Sequence, residues 1–369
     1  MPYGTVNADV IQTSTSGGIL GAGNASIMKN RIINGAMVID QRNAGASVTP
    51  TADTYTLDRW LVSLTQASKF SVQQNAGSVT PPAGFTNYLG ITSLSAYSIT
   101  STDVFYVKQA IEGYNIADLA WGTADAKTVT VSFWVRSSLT GTFGGAIRRG
   151  AGNIYVYPFT YSIPVANTWT QISVTITPPT TTWNSSTTNG VGLNLILGLG
   201  IGATYSGTAG SWQASDIYGA TGATSVVGTN GATFYITGVQ LEVGSSATGF
   251  EYRQYQQELA LCQRYYEKSY NVDVVPATNT TTGGVWFITG SATGNIGGRV
   301  NFAVSKRATP TITTYPISGS PTGSWGSDFL GLLTANVIGI GTSGFSLYLS
   351  GGGSACGAAL GHYVASIEL

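Results

Sequence analysis

The chain has 369 residues and a formal net charge of zero, and charged side chains make up only 9% of it, against about a quarter in ordinary soluble domains; this excludes the basic stripe of a nucleic-acid binder. Its 43% hydrophobic and 11% aromatic content excludes an intrinsically disordered chain, and its 49 glycines speak against helical bundles and coiled coils. The length predicts about two domains at roughly 150 residues each, and a neutral surface lacks the repulsion that keeps copies apart, which points to an assembly component.

Residues 1–29 hold Gly, Ser, Thr, Ala and Asn with scattered single apolar residues. This composition cannot bury a core, so the segment reads as an extended N-terminal arm ordered by a partner. No basic run leads into an apolar core there, and no stretch approaches about 18 uninterrupted apolar residues, so neither an export signal nor a membrane span is expected.

Strand signals begin at Arg31-Ile32-Ile33 and recur to Val243 between clusters of Gly, Pro, Asn and Ser. Within 128–135, Val129, Val131, Phe133 and Val135 share one face, while Thr128, Thr130, Ser132 and Trp134 share the other. Ile172, Val174 and Ile176 repeat the pattern. The row Leu193, Leu195, Leu197, Leu199 and Ile201, with Ile196 among its alternates, predicts a strand covered on both sides in mid-sheet. Many short strands without intervening helices predict an all-β fold, with a jelly-roll sandwich over residues 30–250.

One helix is expected, over 251–268, where Tyr252, Tyr255, Leu259, Cys262 and Tyr266 alternate in spacing between three and four. It is assigned to a linking segment, 251–270, whose apolar seam packs on a neighbouring sheet or, as the alternative, against another subunit. A polar connector, 271–284, follows. The alternating Val300, Phe302, Val304 and Phe345, Leu347, Leu349 then predict a smaller C-terminal β domain over 271–369.

Catalytic signals are sparse. The one histidine, His362, has no Gly-x-Ser-x-Gly elbow to serve. The stretch Gly21-Ala22-Gly23-Asn24-Ala25-Ser26 lacks the third glycine of a dinucleotide loop, and the acidic residues do not cluster as in a hydrolytic cleft. No catalytic residue is assigned and no enzyme is expected. Asp40, Asp53, Asp58 and Glu242 could together supply oxygens to a structural Ca²⁺, but no EF-hand-like spacing supports this and they read as paired surface acids; no metal or cofactor is assigned. Cys262 and Cys356 lack zinc-site spacing and are expected to be free, buried thiols. Trp and Tyr faces stack on sugar rings, which makes Trp134, Trp183, Tyr205, Trp212 and Tyr218 the candidate glycan-binding residues, the last four in Gly/Ser/Thr-rich loops expected at one end of the sandwich.

Two segments, NRIINGAMVIDQRN (30–43) with YTLDRW (55–60), and VQLEVGSSATGFEYRQYQQELALCQRYYEK (239–268), resemble the flanks of a jelly-roll domain of tailed-bacteriophage structural proteins of the tail-fibre type. Asn34-Gly35 and Gln240-Leu241-Glu242 also occupy places that bracket carbohydrate-binding jelly rolls, although Ala36 stands where those modules often carry an acidic Ca²⁺ ligand. KRATPTIT (306–313) and YVASIEL (363–369) resemble small β domains at the ends of phage fibres and appendages. The resemblance implies a virion protein on the particle surface, homo-oligomeric with a trimer favoured. Its residues 1–29 would dock on other virion proteins and its distal domains would reach host-surface glycans. A head or collar decoration protein with no receptor role is the alternative, and a glycan-degrading enzyme the third reading.

Overall fold

A computed structural model of the chain describes residues 10–12, 19–21, 29–150, 154–181, 183–288, 297–327, 331–350 and 358–369. Of the expected arm, this includes β1 (Val10–Gln12) and β2 (Ile19–Gly21), paired antiparallel, and Lys29. The rest of the arm lies outside the described residues, as do Cys356 and most of the glycine-rich stretch 21–26.

The fold is all-β, a jelly-roll sandwich followed by one short helix and a smaller C-terminal β unit. The sandwich strands are β3 (Thr54–Leu57), β4 (Trp60–Leu64), β5 (Phe70–Gln74), β6 (Leu89–Ser93), β7 (Val104–Glu112), β8 (Val129–Ser137), β9 (Gly141–Arg149), β10 (Val156–Ile163), β11 (Thr170–Ile176), β12 (Val191–Ile201) and β15 (Thr233–Val243), with the short pair β13 (Ser206–Gly207) and β14 (Gly219–Ala220) between the last two. They form a six-stranded sheet, β10-β9-β12-β7-β4-β3, and a five-stranded sheet, β11-β8-β15-β6-β5. The chain crosses repeatedly from one sheet to the other, so inner strands such as β12, β7, β8 and β15 pair with strands distant in sequence.

Alternation decides which residues face inward. Val129, Val131, Phe133 and Val135 of β8 are buried between the sheets, opposite Ile176, Val174, Ile172 and Thr170 of β11. Leu193, Leu195, Leu197 and Leu199 of β12 project into the same core, and β12 runs between β9 and β7. Its alternate Ile196 is buried on the outer face with Tyr106, Ala146, Val156 and Ile217, so this strand is covered on both sides. In β15 the register to β8 shifts between Thr237 and Gln240, and Gly238 takes φ +62°, where a Cβ would meet Phe85 and approach Trp134. Glycine there permits the bulge.

The helix is shorter than its apolar stripe implied. α1 spans Tyr255–Gln263, and Tyr266–Lys268 form β16, which pairs with β23 (Ala358–Ser366). Tyr252 lies in extended chain whose neighbours Glu251 and Arg253 are bonded across to Gln240 and to the carbonyls of Ile32 and Asn30. The stripe therefore splits: Leu259 and Cys262 are buried with Ile33, Ile39 and Tyr265, Tyr266 is buried in its strand, and Tyr252 and Tyr255 are 59% and 48% exposed. The five do not form one seam. A three-and-four spacing is blind to a strand that takes over the last member, because the backbone bonds of β23 compete with the helical ones.

The C-terminal unit also contains β17 (Val285–Ile288), β18 (Gly297–Asn301), β19 (Thr311–Pro316), β20 (Ser324–Ser327), β21 (Gly331–Gly341) and β22 (Gly344–Ser350). Its core gathers Val300, Trp325, Phe345, Leu347, Leu349 and Tyr363. The strand at Val300 ends at Asn301, so Phe302 and Val304 lie beyond it; the backbone N–H groups of Ala303 and Val304 donate instead to the Glu267 carboxylate.

The segments that carry the family resemblance meet where the helix and the C-terminal unit join the sandwich. Arg31 and Val239 donate backbone N–H groups to Leu241 and Gly35, and Asn30 bridges Val239 and Leu241 through its side chain. Asn34, buried at φ +57°, bonds Ile39 and Asp58, and its N–H donates to Glu258 of the helix. Glu112 of β7 receives Arg264 at 2.9 and 2.5 Å and the Tyr265 hydroxyl at 2.6 Å. Glu368 is held by Arg42, at 2.5 Å, and by Arg59, while Arg307 donates to the carbonyls of Asn189, Ile367 and Glu368. Lys306, fully buried, pairs with Glu267 at 2.5 Å.

Candidate functional site

The five candidate aromatics fall in three places. Trp183 and Trp212 pack with Trp121 at the rim of the sandwich core, with ring centroids 4.9 to 5.6 Å apart. Trp212 also stacks on Tyr155 at 5.2 Å and donates its indole N–H to the Thr177 carbonyl, so these ring faces are committed to one another. Trp134 is half-buried on the outer face of the five-stranded sheet, while its expected companions Thr130 and Ser132 are buried. Beside it Phe85, Phe250 and Tyr252 form a ring triad at 5.0 to 5.4 Å. Tyr205 and Tyr218 do come together, 5.6 Å apart, over the outer face of the six-stranded sheet.

That outer face carries charged and aromatic side chains beside an open cleft. Tyr218 stacks on Tyr106 of β7 at 5.2 Å and 10°, and the Arg148 guanidinium lies over the Tyr218 ring at 4.5 Å while pairing with Asp216 at 2.7 Å. Burial pushes the Tyr106 hydroxyl up to about 12 and raises Tyr218 as well, the latter against the nearby Arg148 charge. Both rings are neutral amphipathic surfaces across the physiological range.

Next to this stack opens a cleft of about 250 Å³ lined by Lys108, Arg148, Arg149, Asn194 and Val191 of the sheet, Gly150 and Ile154 beyond the end of β9, and Leu369. The register explains the grouping. Asn194 lies directly between Arg148 and Ala110, and Lys108 lies opposite Ile196 one step along, so β9, β12 and β7 present an arginine, an amide and an ammonium side by side. Burial lowers the Lys108 pKa; the Asp53 carboxylate opposes this and the Arg148 charge adds to it. The lining provides donors from Lys108 and Arg148 and a donor and acceptor from Asn194, beside a tyrosine ring. Lys108, Arg148 and Asn194 were not singled out in the sequence because their strands are separated by other elements. The signal available was polar residues at 108, 148 and 194 within otherwise apolar strands.

The four acids considered for calcium are apart, and three of them are buried. Asp40 accepts backbone N–H bonds from Arg42, Asn43 and Gly45, and Asp53 from the Ser63 hydroxyl and the Leu64 N–H. Asp58 accepts from Gln41, and Glu242 from Gln240 and Thr248. Asp40, Asp58 and Glu242 are therefore buried hydrogen-bond acceptors and not surface acids. Burial raises the Asp58 carboxyl to about 6, against the Arg42 charge and the Gln41 bonds. Among the described residues no three His, Cys, Asp or Glu side chains gather as a metal-holding group. His362 is buried, stacked on Tyr270 at 3.8 Å and bonded to the Ser269 hydroxyl and the Thr280 carbonyl. Cys262 is a buried free thiol. No described helix is long and apolar enough to cross a membrane.

No family model and no curated protein matches the sequence. Among solved structures, the chain is similar to the enzymatically active domain of tailspike protein 4 from bacteriophage CBA120, with 16% identity and a TM-score of 0.32 over 58% of this chain; it spans 22% of that one. It is similar to a candidate sugar-binding protein of Bacteroides thetaiotaomicron, with 13% identity and a TM-score of 0.34 over 58% of this chain and 100% of that one. For the family 11 carbohydrate-binding module of Clostridium thermocellum, in complex with a mixed-linked tetrasaccharide, identity is 12% and the TM-score 0.26 over 55% of this chain and 97% of that one.

Proposed function

We propose that the protein is a non-enzymatic glycan-adhesion subunit of a tailed-phage virion, a fibre or appendage component. In this reading residues 1–29 attach it to other virion proteins, it assembles as a homo-oligomer with a trimer favoured, and it is exposed on the particle surface. The observation that carries the adhesion role is the cleft beside Tyr218 and Tyr106. It is an open groove on the outer face of a sheet whose inner face is packed, with ammonium, guanidinium and amide donors next to an aromatic stack, a combination suited to the hydroxyls of a sugar ring. None of the side chains lining it is a carboxylate, whereas glycoside hydrolysis generally uses two, and this supports binding without cleavage. The virion role is supported by the resemblance of residues 30–43, 55–60 and 239–268 to phage structural proteins. Several copies on one particle would combine weak contacts through effective concentration.

One observation favours the alternative of a decoration protein: the ring triad Phe85, Phe250 and Tyr252, with Tyr252 59% exposed, fits a contact between subunits as well as any ligand. Gold-labelled antibody against the C-terminal unit, viewed on purified virions, separates the two. Label at the tips of tail appendages is expected for adhesion, and label over the head or collar shell would overturn it. In parallel, Asn194→Ala is expected to weaken binding of the purified protein to host cells about tenfold, as loss of a buried polar contact does.

A further inference from the structure

Resting on the reading of the cleft as a sugar site, we propose that its ligand is a saccharide bearing a carboxylate, of the uronic or sialic acid class, and that Lys108 receives that carboxylate. The charged side chains that the outer face of the sheet presents to the cleft, Lys108 and Arg148, are both cationic. Arg148 is already paired with Asp216 and spread over the Tyr218 ring, so it fixes the wall of the cleft. Lys108 differs. It stands on β7, flanked in the sheet by β12 and β4, is half-buried, and its ammonium makes no hydrogen bond among the described residues. The opposing charge that reaches it is Asp53, whose oxygens are already engaged by the Ser63 hydroxyl at 2.8 Å and the Leu64 N–H at 3.1 Å.

An ammonium partly withdrawn from water, with its donors unused and facing an open groove, gains most from an ionised acceptor. Charge-assisted hydrogen bonds are roughly twice as strong as neutral ones, and the desolvation that lowers the Lys108 pKa is relieved when an anion docks. A neutral sugar offers Lys108 only hydroxyl acceptors and leaves that gain unrealised. Asn194, diagonal to Lys108 across the β12–β7 pair, places an amide donor and acceptor where a neighbouring ring hydroxyl or the second carboxylate oxygen would lie. The difference between ionised and neutral ligand is one charge-assisted contact, which corresponds to about a tenfold to hundredfold preference.

The test uses the full chain and an array of galacturonate, glucuronate, mannuronate and sialic acid oligosaccharides, each printed beside its methyl ester, which keeps the rings and removes the charge. Binding to at least one acid form, with its ester about tenfold weaker or worse, is the expected result. Lys108→Gln should abolish the preference, binding that acid no more tightly than it binds the ester, with the melting temperature unchanged. An ester bound as tightly as its acid overturns the carboxylate assignment and leaves the sugar cleft standing. No binding to either form of any saccharide overturns both. A Lys108→Gln protein that still prefers the acid overturns the role of Lys108. The comparison of acid and ester on the unaltered chain decides the ligand class even if this variant fails to fold.

Discussion

At Glu112 two adjacent side chains from a distant segment, Arg264 and Tyr265, share one carboxylate. Burial pushes its pKa up, but the bonds from Arg264 and Tyr265 outweigh this and hold it below the usual carboxylate range. Removing the charge from such a site leaves Arg264 and Tyr265 without their ionic acceptor, so Glu112→Gln is expected to lower unfolding free energy by about 2 kcal/mol, read from the midpoint of denaturant unfolding. His362 makes a pH prediction with a definite sign. Burial holds its pKa below the ordinary 6.5, the Thr280 bond opposing. As pH falls through about 6.5 the unfolded chain therefore takes up a proton that the folded chain does not, and the stability present above that pH is lost below it. Asp58 works in the other direction: with a folded value of about 6 against 3.8 unfolded, it binds its proton first in the folded state, so stability is gained as pH falls from about 6 towards 4. Denaturant midpoints measured from pH 8 to 4 should show the acid loss diminished in His362→Gln and the acid gain diminished in Asp58→Asn. None of these roles was legible in the sequence. Arg264 lies 152 positions from Glu112, and no periodicity marks a partner so far away.

Elements were easier to read than the contacts between them. The rows in β8, β11 and β12 could be taken directly from alternating residues, because a strand packed on one side enforces a period of two whatever its neighbours are. The helix was legible in existence but not in extent, since Tyr252 and Tyr266 continue its spacing while belonging to extended chain and to β16. The difference has a measurable consequence. Leu259→Ser should cost about 2–5 kcal/mol, as for large-to-small changes in a core, and Cys262→Ser about 1–3 kcal/mol, from burying a hydroxyl without a partner. Tyr255→Ser, at the first residue of the helix, should stay within about 0.5 kcal/mol because its side chain is exposed. Thermal melts of the three variants check this, and equal losses would restore the single seam. The loop aromatics teach a related point. A Gly- and Ser-rich setting marks Trp183 and Trp212 as loop residues, yet the large apolar ring of each is drawn inward against Trp121, and composition carries no sign of that direction. Tyr205 and Tyr218, singled out by the same signal, come together because their loop folds back over the sheet.

Across the whole molecule, the join between sandwich and C-terminal unit is charged and hydrogen-bonded as well as apolar. Glu368 meets Arg59 and Arg42 from 309 and 326 positions away, and Lys306, Arg307 and Glu368, which carry the weaker resemblance at the C-terminal end, are all fasteners. Replacing Glu368 by Ala leaves the buried Arg59 and the partly buried Arg42 without their shared carboxylate, a loss of about 3 kcal/mol by analogy with broken buried pairs. Calorimetry of the unaltered chain is expected to give one transition, and Glu368→Ala should separate it into two. A single transition at an unchanged temperature would show that the apolar contacts couple the units by themselves. The all-β class and the two-part chain were readable from composition and alternation, whereas the join was not, since its residues are charged singletons spread over the whole length.

The stitching of residues 30–35 onto β15 also bears on mechanical load. The backbone bonds Arg31–Leu241 and Val239–Gly35 tie this segment to β15 at the centre of the five-stranded sheet, and the Asn30 N–H to Glu251 at 2.7 Å and the reach of Arg253 to the Ile32 carbonyl at 2.9 Å tie it to the extended chain that follows. Tension arriving along the chain at residue 29 is shared among these bonds instead of opening them in succession. Forced opening is governed by an unfolding rate, and a shared load slows that rate, so a tether pulling here would meet resistance at the first turn of chain inside the sandwich, before any strand of its core is drawn out.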